Sequence, residues 1–84
     1  MEGWKTLKVH QSSRILEIAY LYSEEDKDYT LRVVFKGPKM YEYYHVPGPI
    51  LLRFIGAESK GKAFEECIKG IYEYKKIESE NEQA

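Results

Sequence analysis

From Arg14 to Tyr22 the chain alternates at period two, with Leu16, Ile18, Tyr20 and Tyr22 on one side and Glu17, Ala19 and Leu21 on the other. That pattern predicts a half-buried β-strand. Ser23 to Asp28 breaks it with Ser-Glu-Glu-Asp-Lys-Asp, which reads as a solvated hairpin loop; it lacks the spacing and glycine of an EF-hand cation site. Tyr29, Leu31, Val33 and Phe35 then alternate with Thr30, Arg32, Val34 and Lys36, so Tyr29 to Lys36 is a second strand. Gly37-Pro38 punctuates a tight connection. A third strand, Lys39 to Val46, sets Tyr41 and Tyr43 against Met40, Glu42 and Tyr44.

Pro47-Gly48-Pro49 ends the strand run, because proline cannot donate to a ladder, and Pro49 suits the first turn of a short helix over Ile50 to Ala57. After a junction at Gly56 to Gly61, Phe64, Cys67, Ile68 and Ile71 recur at the spacing of one helical face. Beyond Glu78 the residues are polar and acidic and offer nothing to a core. The expected architecture is α+β: a three-stranded antiparallel β-meander with two C-terminal helices packed on one face. Residues 1–77 would form the domain and 78–84 a flexible acidic tail. The face opposite the helices stays open, and Arg32, Val34 and Lys36 point there beside Met40, Glu42 and Tyr44.

A length of 84 residues allows one domain with a shallow core. The eight tyrosines fit such a core, because a buried ring can send its hydroxyl to water at the edge. Cys67 stands alone, so no internal disulfide can staple the domain and a reducing compartment is favoured. The opening residues lack an apolar leader, and prolines and Arg53 interrupt the region from Val46 to Ala57. The expected location is cytoplasmic, with no membrane association. A net charge of -1 conceals segregation: residues 1–14 and 32–62 carry +2 and +4, residues 15–31 and 63–84 carry -4 and -3. The basic centre is where a polyanion would be sought.

Ser12-Ser13-Arg14-Ile15, Ile18-Ala19-Tyr20, Tyr41-Glu42-Tyr43 and Val46-Pro47 occur in an order that resembles the KTSC domain family. Ala57-Glu58-Ser59-Lys60-Gly61-Lys62-Ala63-Phe64, followed by Ile68 and Tyr72, resembles that family's A-x-S-x-G-K-x-F stretch and closing helix. The resemblance spans about residues 9–74. The family is named for its occurrence at the carboxyl end of some lysyl-tRNA synthetases and also exists as free-standing small proteins, the form this chain resembles. RNA or tRNA binding is what the synthetase context implies. Departures are Ala19 where glycine is common, Ala63 where an aromatic is common, and the longer acidic loop.

Gly56 to Lys62 matches G-x-x-x-x-G-K, but Ala63 stands where a magnesium-binding hydroxyl belongs and a helix precedes it instead of a strand. Nucleotide hydrolysis is not expected. Ser59, Lys60 and Gly61 could still contact a phosphate at a helix start, although a junction needing glycine for its turn is the default. Cys67 lies on the apolar stripe and reads as core rather than nucleophile. His10 and His45 have no metal-ligand spacing, so neither metal nor cofactor is expected. The leading function is a non-catalytic module that binds RNA through Arg32, Lys36, Lys39, Tyr44 and Lys62, with Tyr41 and Tyr43 mainly in the core. The alternative is a protein-interaction module using an exposed sheet edge or the tyrosine-rich face.

Overall fold

The computed structural model describes residues 3–10, 12–37 and 39–77. The three long strands form as their alternation predicts: β2 (Ile15–Ser23), β3 (Asp28–Phe35) and β4 (Lys39–Val46). The sheet nevertheless has five strands, not three. The short β1 (Lys5–Lys8) pairs with β2, β5 (Tyr74–Ile77) pairs with β4, and the spatial order β1-β2-β3-β4-β5 follows the chain, every pair antiparallel. The helices α1 (Gly48–Ile55) and α2 (Lys60–Cys67) are inserted between β4 and β5 and so are not C-terminal. The tail expected over 78–84, and Pro38 of the expected turn, lie outside the described residues.

Two bulges decide what the core contains. Ile15 pairs with Phe35 and Glu17 with Val34, which makes Leu16 an extra residue on β2. The parity flips there, so Ile15 is fully buried while Leu16, which the alternation set on the same side as the buried Ile18, is 40% exposed. On β4, Leu31 pairs with Tyr43 and Tyr29 with Val46, leaving Tyr44 and His45 opposite Thr30 alone. His45 takes a left-handed φ of 59°, uncommon outside glycine, and that turn returns Val46 to the buried face. The hairpin over Ser23 to Asp28 forms as expected, held by Lys27 N–H donating to the Ser23 carbonyl at 2.7 Å.

Both helices cover one face of the sheet. Leu51 and Phe54 of α1 and Ala63 and Phe64 of α2 join Ile15, Ile18, Leu31, Val33, Tyr43 and Val46 in one core. Pro47 caps α1 in extended backbone and Pro49 occupies its first turn, where a missing N–H costs nothing. The second helix stops earlier than its apolar stripe predicts. Ile68 is its C-cap, the N–H groups of Ile68 and Lys69 both donate to the Phe64 carbonyl, and Gly70 adopts a φ of 78°. A positive-φ glycine just past a helix is a stop signal. Ile71, expected to extend the buried stripe, is 59% exposed as a result. Among the described residues, no helix is long and apolar enough to cross a membrane.

Phe54 is fully buried between the layers. Phe54→Ala is expected to cost about 3–5 kcal/mol, measured as a lower urea midpoint with an unchanged slope. Burial, with Tyr41 and Tyr74 alongside, pushes the Tyr43 hydroxyl up to about 12 from its ordinary 10.0. The folded state therefore holds this proton more tightly than the unfolded chain. Its contribution is intact below about pH 10 and is lost as pH rises toward about 12. Urea titrations across that window should show falling stability that Tyr43→Phe largely removes.

Candidate nucleic-acid interface

The open face of the sheet has Thr6, Ala19, Arg32, Glu42 and Lys75 in one cross-strand row. Arg32 and Tyr44 do come together there, through Glu42. The Arg32 Nε donates to Glu42 Oε2 at 3.0 Å, its Nη2 reaches the same oxygen, and the Tyr44 hydroxyl donates to Oε1 at 3.1 Å. Trp4 lies over the guanidinium, 4.4 Å from ring centroid to Cζ, in cation–π contact. Desolvation first, then the bond to Glu42, raises the Tyr44 hydroxyl above its ordinary range. The Arg32 charge is therefore spent inside the domain. The carboxylate neutralises it and the indole covers it, so Arg32 is not the free cation that the strand alternation promised.

The remaining basic candidates lie elsewhere. Lys36 follows β3 and Lys39 begins β4, both exposed at one hairpin, while Lys62 is exposed on α2 in the other layer. The Lys36 N–H donates to the Arg14 carbonyl at 2.8 Å, which fastens this hairpin to the loop before β2. The two edges, β1 and β5, are four residues each and carry Lys5, Lys8, Lys75 and Lys76. Short, lysine-bearing edges resist addition of another strand.

The Ser59-Lys60-Gly61 turn expected to contact phosphate faces a loop that the sequence did not bring to it. Ser12, Ser13 and Arg14, which precede β2, line one concavity of about 480 Å³ together with Ser59, Lys60 and Lys62 at the start of α2. Its local geometry is fully specified. The Ser12 hydroxyl accepts from the N–H groups of Arg14 at 3.1 Å and Ile15 at 2.9 Å, so its oxygen is committed to shaping the loop. Ser59 caps α2 by accepting from the Lys62 N–H at 3.3 Å, and Lys60 Nζ donates to the Ala57 carbonyl at 2.7 Å. Arg14 crosses to α2, its Nη2 donating to Glu65 Oε2 at 2.9 Å. That hydrogen bond, with help from Lys69, holds the Glu65 carboxyl below its usual range.

Gly61 sits inside α2 without a positive φ, so the expected need for glycine to make the junction turn does not apply. A Cβ there would meet the Arg14 side chain at 3.7 Å, ordinary contact distance. A neighbouring concavity of about 270 Å³ shares Ser12, Glu58 and Lys60 and adds Lys8 and His10. The two form one seam between the loop before β2 and the start of α2.

Where the β2–β3 hairpin meets the β4 bulge, ligand atoms of Asp26, Asp28 and His45 lie within 4.8 Å of one another. His45 Nδ1 and Asp28 Oδ2 are 3.1 Å apart and satisfy each other. The β4 bulge creates this grouping, so no local spacing could have signalled it.

The sequence pattern of the KTSC domain matches residues 11–74. The chain belongs to the KTSC domain family. It is similar to the crystal structure of a KTSC domain protein from Yersinia pestis, with 33% identity and a TM-score of 0.74 over 89% of this chain and 99% of that one. It is also 34% identical over 56 residues to a lysine–tRNA ligase from Nostoc punctiforme. That stretch is 67% of this chain but only 10% of the ligase, so the KTSC domain corresponds to a small part of that relative. Both sides of the seam, Ser12 to Arg14 and Ser59 to Lys62, lie inside the matched family residues; Trp4 and β1 lie outside them.

Since Glu42 is only 14% exposed and depends on Arg32, Arg32→Ala should act on stability. A loss of about 1–2 kcal/mol is expected. Trp4 emission should shift red as its cation is removed, and affinity for polyanions should stay at the wild-type level.

Proposed function

We propose that this KTSC domain is a non-catalytic module that binds RNA, with the seam between the loop before β2 and the start of α2 as its phosphate-contacting surface. The observation that carries this reading is the convergence of Arg14 with Lys60 and Lys62, far apart in sequence, on one concavity lined by three serines, where the three cations outnumber Glu58 and Glu65; Arg14 shares its charge with Glu65 but is about half exposed. Guanidinium and ammonium groups beside hydroxyls suit a phosphodiester chain, since the cations supply charge and the hydroxyls orient hydrogen bonds. Lys36, tied to the Arg14 loop, and Lys8 on the adjoining concavity extend the positive track at both ends.

Non-catalysis fits the same geometry. The Ser12 oxygen is held by two backbone amides and Lys60 by a carbonyl, which are structural commitments. The family relative that is a lysine–tRNA ligase makes tRNA the first RNA to try. The edge lysines weigh against a protein partner that adds a strand.

The test is fluorescence anisotropy of labelled tRNA and single-stranded RNA at several salt concentrations, for wild type and for Arg14→Gln plus Lys62→Gln checked for folding by circular dichroism. Wild-type affinity should fall steeply with salt. The double variant should bind about tenfold more weakly and lose about 1.5 from the slope of log affinity against log salt. Absence of binding at low salt, or binding indifferent to both changes, overturns the RNA reading and leaves a protein partner.

A further inference from the structure

Where α2 ends, the sheet face beneath it is only partly covered. A cavity of about 400 Å³ opens there, walled by Phe35, Tyr41, Tyr43, Phe64 and Tyr74, with Lys69 at its rim. Tyr43 and Phe64, 5% and 4% exposed, form the floor, while Tyr74 stands 60% exposed. The rings meet edge-on or tilted: Tyr41 to Tyr74 at 5.8 Å, Tyr43 to Tyr74 at 5.5 Å and Phe35 to Tyr41 at 5.9 Å. A half-open cleft of aromatic rings has planar faces unfilled by the protein itself.

Charge identifies the occupant. Lys39 is cross-strand from Phe35 and Lys76 is cross-strand from Tyr41, which places both on the cleft side of the sheet beside Lys69. All three are exposed. Aromatic faces ringed by ammonium groups are what successive nucleotides of a single strand require: a ring to stack each base and a cation for each phosphate. An aliphatic peptide side chain would use the apolar floor but not the lysines.

We propose that this cleft takes an unpaired base, so that the domain selects single-stranded over duplex RNA; the inference deepens the RNA reading and rests on it. Paired bases are already stacked and cannot enter a cleft of this kind. The cleft and the seam are linked through Glu65 of α2, which accepts from Arg14 on the seam and lies 3.5 Å from Lys69 at the rim of the cleft. One strand can therefore lay its phosphates along the seam and turn a base into the cleft.

The test titrates 15N-labelled protein with an eight-nucleotide adenylate strand, with an RNA duplex of the same length, and with inorganic polyphosphate. The adenylate strand should shift the Tyr41 and Tyr74 resonances; polyphosphate and the duplex should move the seam and the lysines at the cleft rim but leave Tyr41 and Tyr74 untouched. Tyr74→Ala should weaken binding of the adenylate strand about ten- to a hundredfold, as loss of one stacking platform does. Tyr74→Phe should restore it, and polyphosphate affinity should be unchanged in both. If Tyr74→Ala binds the strand as wild type does while the Arg14→Gln plus Lys62→Gln variant is weakened, the cleft inference fails and the seam reading stands. If the seam variant has no effect while Tyr74→Ala abolishes binding, the seam fails and the cleft stands. Equal shifts of the cleft by duplex and single strand would also overturn the inference.

Discussion

The parity of a β-strand is unforgiving: every side chain belongs to one face, and inserting one residue exchanges the faces beyond it. This domain uses that constraint twice. Leu16 on β2 and the Tyr44-His45 step on β4 each add a residue opposite a continuous β3. The first puts Ile15 beneath the helices and lets the preceding loop carry Arg14 toward α2; the second returns Val46 to the core just before Pro47 starts α1. Without these shifts, the apolar positions at the ends of β2 and β4 would face away from the helices. The left-handed backbone at His45 is the local cost of that arrangement.

The two layers are then held in register at one polar point. Arg14 and Glu65 join the loop before β2 to α2 across the domain, and Lys69 draws on the same carboxylate. Both groups are partly exposed, so the pair contributes modest stability. Its consequence is positional: the Arg14 side chain lies against α2 beside Gly61, at ordinary contact distance from where a Cβ would stand. The stretch that looks like a phosphate loop in sequence is, in the fold, the start of α2 with Arg14 lying against it.

How far the chain was legible follows from where its signals are local. The long strands β2, β3 and β4 announce themselves because one face of each is buried and alternates. The edges β1 and β5 do not: four residues with two lysines each lack an apolar stripe. The end of α2 was misplaced because Ile71 continued the helical spacing, although Lys69-Gly70 already contained the stop. Arg32 was located correctly on the open face, yet its neutralisation needs Glu42 from the next strand and Trp4 from beyond β1. The seam needs residues from opposite ends of the matched family stretch, a juxtaposition that only the fold supplies.

These placements change what the charge blocks mean. The basic centre over residues 32–62 reads in sequence as a block whose Arg32 and Lys36 share the open strand face, with Lys60 and Lys62 at the helix junction. In the folded chain it is divided. Arg32 is consumed by Glu42, while Lys36 and Lys39 go to a hairpin and Lys60 and Lys62 to a helix start. The positive surface that remains is reassembled from three segments, with Arg14 contributed by the first block and Lys69 by an acidic one. A surface assembled in this way depends on the tertiary fold for its charge as well as for its shape, so loosening α2 from the sheet would separate Lys60 and Lys62 from Arg14.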